Sequence, residues 1–266
     1  HEKRIRELIY ENFPDILVSL SSDVDPVFRE YERTVVTAFD AYIKPTVDSY
    51  LSNLSQALSR KNVGASLQIM QSRGGLAGAE TARIRPVRLF LSGPAGGVMG
   101  ALSEGKANNY NNLITVDIGG TSCDIALVND AKPLIRQEGF IDKYMVRVPM
   151  VDVNAIGSGG GSIAWLDKAG GLKVGPHSAG SEPGPVCYDR GGEEPTVTDA
   201  SVVLGLIDPD FFAGGRFKLN VDKAYNAISE NIAKPLSLTV EESALGIHKV
   251  LNCLLYTSDA ADDGLS

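Results

Sequence analysis

The stretch Thr115–Val128, TVDIGGTSCDIALV, constrains the fold more than any other part of the chain. Two short apolar runs rich in β-branched residues flank the glycine-rich segment 119–122, which predicts an antiparallel hairpin with strands at 113–118 and 123–128. Adjacent glycines let backbone N–H groups come close to a bound group, because no side chain stands in the way. The sequence therefore predicts a hairpin whose turn a ligand can approach closely.

The residue types in this turn favour phosphate binding. Gly119 and Gly120 supply backbone N–H groups and Thr121 adds a hydroxyl donor, all suited to phosphate oxygens. Asp117 ends the first strand and Asp124 lies in the second, and Mg²⁺ binds one or two carboxylates while keeping much of its water. We predict that both aspartates are catalytic and metal-binding. A plain hairpin with solvated acids is the alternative.

A second glycine cluster follows Asp152, which we predict to be a third catalytic carboxylate. The segment 157–162 contains Gly159, Gly160 and Gly161 and is too rich in glycine for a helix interior. It suits a loop lying against a nucleotide or a hinge between lobes. A surface loop without a ligand is the alternative.

A third glycine cluster lies at 92–97, between a predicted strand at 87–91 and a predicted helix at 98–106. The order strand, glycine loop, helix favours phosphate binding, because the N-terminus of a helix presents free N–H groups. We predict phosphate contacts from Gly96 and Gly97. A tight turn that packs the helix on the strand explains the pattern equally well.

The segment Val174–Ala200 predicts a long ordered loop, since alternating Pro and Gly break regular structure while apolar residues punctuate it. Loops of this length in compact proteins are usually functional. Within it, His177 and Asp199 are candidate ligand or acid–base groups. A structural role is the alternative for a lone histidine.

Composition narrows the class of protein. The chain has 266 residues, a net charge of −8 and three cysteines without a C-x-x-C pair, which predicts a cytoplasmic protein that binds neither nucleic acid nor membrane. No H-E-x-x-H, G-x-S-x-G or P-loop motif is present, which argues against a zinc protease, a serine hydrolase elbow and a P-loop enzyme. The first residues, HEKRIRELIY, begin in helical periodicity without Met, so we expect the chain to begin inside a longer protein.

The pattern of elements predicts a mixed α/β protein in two parts. Residues 1–107 read as long helices with the glycine segment 92–97, and residues 108–252 read as the hairpin followed by glycine-rich loops. Residues 253–263, CLLYTSDAADD, match a translated reading frame of a common sequencing-library adapter. We therefore predict a non-native tail at 253–266, with a native extension as the alternative.

Seven blocks of the sequence, in order, together resemble the hydantoinase A / 5-oxoprolinase family. They span about residues 1–250 and are specific as a set. The blocks are EYERTVVTAFDAYIKP, IMQSRGG, RPVRLFLSGPAGGVMGA, TVDIGGTSCDIALV, VPMVDVNAIGSGGGSIAW, VGPHSAGSEPGPVCY and EPTVTDASVVLG.

The resemblance implies an actin-like, sugar-kinase-like ATPase fold that is incomplete here. It also implies an enzyme that opens cyclic amides such as hydantoins or 5-oxoproline with ATP and Mg²⁺, by phosphate transfer to the amide oxygen, together with a hydantoinase B-type partner. A subunit of an acetone- or acetophenone-type carboxylase and a non-catalytic nucleotide-binding regulator are the alternatives. Residues 117–124 match the family's second phosphate motif, and Gly159–Gly161 match its triple glycine.

The chain departs from the family pattern at three positions. Asn154 and Ala155 stand where His and Thr are common, so we expect Asn154 to lie at or near the substrate, with altered handling of substrate or metal. Cys123 stands where Thr is usual. The first phosphate motif of the family is expected upstream of His1, and we therefore expect the 266 residues alone to be inactive.

Overall fold

The computed structural model describes residues 1–141 and 143–262, with side chains described as far as Tyr256. The chain folds into two compact units. Unit 1 contains residues 1–115 and 126–153, and unit 2 contains residues 116–125 and the chain from Asn154 onward. The division differs from the predicted boundary at residue 107, because the tip of the hairpin packs with unit 2 while its base packs with unit 1.

Helices dominate the start of the chain, as predicted, and recur at its end. The π-helical turn Ser229–Ala233 continues the seventh α-helix, and the ninth runs without a break through the predicted tail as far as Asp262. Residues 263–266 lie outside the described residues. The α-helices are α1 (Glu2–Asn12), α2 (Ser21–Val24), α3 (Glu30–Arg60), α4 (Ala79–Ile84), α5 (Ser92–Ala107), α6 (Val197–Val203), α7 (Val221–Ile228), α8 (Lys234–Leu236) and α9 (Val240–Asp262).

Short strands form one four-stranded sheet and four two-stranded ones. The strands are β1 (Gln68–Met70), β2 (Leu76–Gly78), β3 (Leu113–Ile118), β4 (Cys123–Asn129), β5 (Lys132–Pro133), β6 (Ile135–Arg136), β7 (Gly139–Ile141), β8 (Tyr144–Val146), β9 (Met150–Val151), β10 (Val153–Ile156), β11 (Ser162–Leu166) and β12 (Leu172–Ser178). The larger sheet has the order β10–β4–β3, with β5 also paired to β4. Strands β3 and β4 are the predicted hairpin, and β11 pairs antiparallel with β12.

The glycine cluster at 92–97 is helical, and the prediction of a loop there is wrong. Helix α5 begins at Ser92 and includes every glycine of the cluster. Ala95, Val98 and Leu102 recur at helical spacing and are buried in one apolar cluster with β4 and β9. The density of glycine predicts a break in the helix, because glycine has a low helix propensity. Burial of this apolar stripe offsets that low propensity.

The predicted strand at 87–91 is also absent. A single 3-10 turn covers Pro86–Leu89, with proline at its start and with Pro86 and Val87 buried. Proline fixes φ near −65°, which suits the first position of a helical turn, so the apolar run is buried without pairing to another strand.

The core of unit 2 lies between the β11–β12 hairpin and helices α6, α7 and α9. Ala164 and Val174 from the hairpin meet the helices in one cluster of buried apolar residues. This packing fixes the end of β12 and the start of β11, which follows the triple glycine directly. Among the residues that the structure describes, no helix is both long and apolar enough to cross a membrane.

Candidate functional site

The hairpin turn is closed by its own backbone. The N–H of Gly119 donates to the carbonyl of Ser122 at 2.8 Å. Gly119, Gly120 and Thr121 are exposed to solvent. The turn is therefore a defined structure that is open on one side, as the sequence predicts.

The carbonyls of the turn are held by the triple glycine. The N–H of Gly160 donates to the carbonyl of Gly119 at 3.0 Å, and that of Gly161 to the carbonyl of Gly120 at 2.6 Å. In a trans peptide the C=O and the N–H point in opposite directions. The N–H groups of Gly120 and Thr121 therefore point away from the triple glycine, and neither donates to a group in the described part of the chain.

The triple glycine can approach the turn this closely only because it lacks side chains. A Cβ at position 159 would lie 2.6 Å from the carbonyl oxygen of Gly119, and one at position 161 would lie 2.9 Å from that of Gly120. A Cβ at position 160 would lie 2.9 Å from the hydroxyl of Thr198. Positions 159 and 161 therefore require glycine, because the atoms in the way belong to the backbone, whereas at position 160 the Thr198 hydroxyl would have to move. The structure thus brings Gly159, Gly160 and Gly161 together with Gly119 and Gly120.

Helix α6 fixes the triple glycine from its other side. The N–H and the hydroxyl of Thr198, in the first turn of α6, both donate to the carbonyl of Gly160 at 2.8 Å. The N–H of Gly159 donates to the hydroxyl of Ser162 at 2.8 Å, at the start of β11. The backbone of Gly159–Gly161 is therefore held on both sides by hydrogen bonds. Close packing on the turn explains these glycines without a flexible hinge.

The carboxylate of Asp124 in the hairpin is affected by burial and by Asp117. Asp117 is exposed and Asp124 is half-buried. Burial raises the pKa of Asp124, and the nearby negative charge of Asp117 raises it further. A cation between them would relieve this repulsion. In the described residues no group of three or more His, Cys, Asp or Glu could hold a metal. Two carboxylates are nevertheless a donor set that Mg²⁺ accepts, since this ion keeps several waters and takes one or two protein carboxylates.

The hydroxyl of Thr121 lies 3.3 Å from that of Ser178, at the end of β12. The Ser178 oxygen also accepts the N–H of Gly180 at 3.1 Å. The turn thus gains a side-chain contact from the neighbouring hairpin. Sequence reasoning missed Ser178, as it missed Thr198, although both lie within segments it singled out.

Asp199, a candidate ligand or acid–base group, is fully buried and serves the backbone. Its carboxylate accepts the N–H groups of Val186, Cys187 and Thr196 at 3.2, 2.7 and 2.8 Å, and the hydroxyl of Thr196 at 2.8 Å. With Thr196 it forms the capping box at the N-terminus of α6. Because four donors occupy the carboxylate, Asp199 supports the helix that holds Gly160, and a ligand or acid–base role for it stays a prediction. The spacing Thr-x-x-Asp could have revealed this role.

Among the other predicted residues, His177, Asn154 and Cys123 belong to unit 2 and Asp152 to unit 1. His177 is exposed on β12, next to Ser178, and Asn154 is half-buried on β10 in unit 2. Asp152 belongs to unit 1, where its carboxylate pairs with Arg136 at 2.6 Å. Cys123 is fully buried, and burial raises the pKa of its thiol, so it is a neutral core side chain.

Gly96 and Gly97 also belong to unit 1, inside α5. Only the first N–H groups of a helix lack an intrahelical acceptor. The helix begins at Ser92, and the N–H of Ala95 already donates to the carbonyl of Leu91 at 3.1 Å. The N–H groups of Gly96 and Gly97 follow within the helix and are not loop donors, so phosphate contact at these two residues stays a prediction without support from the local backbone.

Comparisons with known proteins agree with the sequence motifs. The Hydantoinase/oxoprolinase family matches residues 33–257. The chain is 40% identical to caprolactamase subunit alpha of Pseudomonas jessenii, covering 95% of this chain and 36% of that protein. It is 43% identical to the acetophenone carboxylase gamma subunit of Aromatoleum aromaticum, covering 92% and 34% respectively.

Among solved structures, the nucleotide-free acetone carboxylase, from a study of ATP-dependent acetone carboxylation, superposes with a TM-score of 0.82 at 34% identity. The match covers 95% of this chain and 36% of that one, so the chain spans about a third of the length of these three relatives. The predicted fold, a mixed α/β architecture shared with ATP-dependent enzymes of this kind, is confirmed.

Proposed function

Because the chain belongs to the Hydantoinase/oxoprolinase family, we propose that it is part of an enzyme that opens cyclic amides, of the hydantoin or 5-oxoproline type, with ATP. The observation that carries the proposal is the turn 119–122. Its carbonyls are tied down by Gly160 and Gly161, while the N–H groups of Gly120 and Thr121 face open space. A group of fixed, outward N–H donors is what a phosphate requires.

The proposed reaction has three stages. The terminal phosphate of ATP is transferred to the oxygen of the ring amide, which weakens the C–N bond of an otherwise stable lactam. Water then adds to the activated carbon and the ring nitrogen leaves with a proton, which opens the ring to an acyl phosphate. A second water hydrolyses the acyl phosphate, so that ATP and two waters are consumed and ADP, phosphate and the open-chain amino acid are formed. Catalysis of such a transfer is mainly positioning and charge neutralisation.

The residues of this chain perform the positioning. The N–H groups of Gly120 and Thr121 and the hydroxyl of Thr121 would bind phosphate oxygens. Asp117 and Asp124 would hold Mg²⁺, which neutralises phosphate charge when bound. His177, exposed near the turn, stays a candidate acid–base group, and Asn154 a candidate substrate contact. Asp152 stays a predicted catalytic residue, although its pairing with Arg136 favours a structural role.

A ketone carboxylase subunit is the second candidate. The identity of 43% to the acetophenone carboxylase subunit and the TM-score of 0.82 to acetone carboxylase support it. The same turn would serve either reaction, because phosphate transfer to an enolate oxygen makes the same demands on the phosphate site. In both cases we propose a partner subunit, of the hydantoinase B type in the first, since these relatives are named as subunits.

Product analysis separates the candidates. The active protein that carries this chain, with its partner, is incubated with ATP and Mg²⁺ and either a cyclic amide or a ketone with bicarbonate. Ring-opened amino acid supports the first proposal, and carboxylated ketone that depends on bicarbonate supports the second. ATP binding without turnover of either substrate would favour the nucleotide-binding regulator.

Asp117→Ala serves as the residue test in the same assay. We expect it to abolish ATP-dependent turnover, since one of two carboxylates for the metal is lost. Unchanged turnover would remove Asp117 from the site. Asp130→Ala is the matched control, because Asp130 is an exposed aspartate on the turn that follows β4, at the other end of that strand from Asp124.

A further inference from the structure

We propose that Ser178 is a positioning residue that directs the Thr121 hydroxyl proton toward a bound phosphate. The inference rests on the proposed phosphate role of the turn and adds a residue to it. Ser178 lies 57 residues from Thr121 in sequence, and their hydroxyl oxygens are 3.3 Å apart. Thr121 is exposed on the open side of the turn and Ser178 is half-buried beneath it.

The other contacts of the two hydroxyls leave Ser178 able to donate to Thr121. A hydroxyl has one proton to donate and two lone pairs that accept. The N–H of Gly180 donates to the Ser178 oxygen at 3.1 Å and occupies one lone pair. The Ser178 proton remains available, and Thr121 is the acceptor within reach. In the described residues no other acceptor is bonded to the Ser178 hydroxyl.

A bound phosphate selects this direction. If Thr121 donated to Ser178, its hydroxyl would present only lone pairs to the anion, which repel it. If Ser178 donates to Thr121, the Thr121 proton is free to donate to a phosphate oxygen. The result is a chain in which the N–H of Gly180 donates to Ser178, Ser178 to Thr121 and Thr121 to phosphate. Each hydrogen bond polarises the next and strengthens the last one.

The backbone places Ser178 for this role. Ser178 pairs with Ser162 across the β11–β12 hairpin, and the next residue, Ala179, donates its N–H to the carbonyl of Gly161 at 2.9 Å. Gly180 has φ +64°, a left-handed conformation that glycine adopts without strain, and its N–H turns back to the serine oxygen. A Cβ at position 161 would lie 3.0 Å from the Ser178 oxygen, so the triple glycine also leaves room for this hydroxyl.

A double-mutant cycle on nucleotide affinity tests the inference. Mg-ATP and inorganic pyrophosphate are each titrated by calorimetry into the active protein that carries this chain, for wild type, Ser178→Ala, Thr121→Val and the double variant. We expect Thr121→Val to weaken binding about tenfold or more, as for loss of a hydrogen bond to a charged group, and Ser178→Ala about threefold to tenfold. Ser178→Ala should add almost nothing in the Thr121→Val background, since it acts through that hydroxyl.

Two further variants separate positioning from packing. Ser178→Thr keeps the hydroxyl and should restore affinity to within about twofold of wild type, whereas Ser178→Cys keeps the approximate volume but donates weakly and should behave as alanine. Ser178→Cys also replaces Ser178→Ala in the cycle if the alanine variant fails to fold. Ser181→Ala, an exposed serine three residues further on, is the matched control and should bind as wild type.

The outcomes are distinct. An equal loss of affinity from Ser178→Ala in the wild-type and Thr121→Val backgrounds would show that Ser178 acts independently of Thr121. That result would overturn the inference and leave the proposed phosphate role of the turn intact. Wild-type affinity in Ser178→Ala or Ser178→Cys would do the same. Absence of binding by the wild-type protein, or wild-type affinity in Thr121→Val, would overturn the phosphate role of the Thr121 hydroxyl, and the inference with it.

Discussion

Two glycine-rich segments of this chain look alike in sequence and differ completely in structure. The segment 92–97 forms the first turns of α5, and Cβ atoms at Gly93 and Gly96 would meet nothing closer than the Cγ of Met70, at 3.8 Å. At Gly159 a Cβ would collide with the backbone of the hairpin turn at 2.6 Å. Glycine is therefore dispensable at positions 93 and 96 of the helix and required at position 159 beneath the turn. Whether a position requires glycine depends on which atom occupies the place of the missing side chain. The density of glycine in the sequence does not reveal that atom.

The largest effect is expected from Gly159→Ala. The new methyl group would push the turn away from the triple glycine and break the hydrogen bonds that hold it, at a cost of about 2–3 kcal/mol in the free energy of unfolding. Urea denaturation measures this, and nucleotide affinity should fall as well. Gly157→Ala is the control, because a Cβ there has no atom within 4 Å. Equal stability of the two variants would contradict the close packing of the triple glycine on the turn.

Gly120→Ala should separate binding from stability. A Cβ at position 120 meets no protein atom within 4 Å, so the free energy of unfolding should stay within about 0.5 kcal/mol of wild type. The methyl group would occupy the open space in front of the turn, and we expect Mg-ATP affinity to fall about tenfold or more. Calorimetric titration measures the affinity. Normal affinity in a normally folded variant would show that phosphate does not approach Gly120.

Gly96→Ala should change stability without changing nucleotide affinity, the opposite of Gly120→Ala. Alanine has the higher helix propensity and fits the space available, so we expect a gain of about 0.5–1 kcal/mol in the free energy of unfolding. Nucleotide affinity should not change, because the N–H of Gly96 is inside the helix. A loss of affinity without a loss of stability would instead support the loop predicted from the sequence.

A smaller effect is expected from Asp124→Asn. The folded protein raises the pKa of Asp124, chiefly through burial and then through Asp117, so the ionised carboxylate disfavours the folded state. This penalty is absent at pH values below the unfolded pKa, near 4, and is complete once the pH exceeds the raised pKa of the folded state. The amide should therefore raise the Tm near pH 7, on the order of 2 °C, and much less near pH 4.

Thermal unfolding at the two pH values, with and without Mg²⁺, measures this difference. Wild type should be stabilised by Mg²⁺ and the Asp124→Asn variant should not, since one carboxylate of the pair is gone. Asp130→Asn provides the control for loss of an exposed aspartate elsewhere. A lower Tm for Asp124→Asn at pH 7 would mean that the carboxylates do not repel each other as inferred.

The local parts of the site could be predicted, and the long-range parts could not. The hairpin 113–128 follows from β-branched runs and a glycine turn, which are neighbours in sequence, and the structure confirms its strands almost residue for residue. The contacts of Thr198 with Gly160 and of Ser178 with Thr121 span 38 and 57 residues. No periodicity encodes such contacts, because they depend on how the β11–β12 hairpin and α6 pack.

The apolar stripe of α5 explains why the loop predicted at 92–97 is a helix. Ala95, Val98 and Leu102 are buried in one cluster with β4 and β9, and this tertiary packing outweighs the low helix propensity of glycine. The structural role of Asp199 also depends on contacts that the sequence pattern does not encode. A carboxylate in a long loop resembles a ligand in sequence, yet its four donors show that it holds the loop and α6 together.

The central claim is that phosphate binds the outward N–H groups of the turn, and amide NMR on the isotope-labelled chain tests it most directly. On addition of Mg-ATP, the amide resonances of Gly120 and Thr121 should shift strongly, because both N–H groups acquire an anionic acceptor. Those of Gly96 and Gly97, bonded inside α5, should remain in place. Saturable shifts at Gly96 and Gly97 with none at Gly120 and Thr121 would contradict the account.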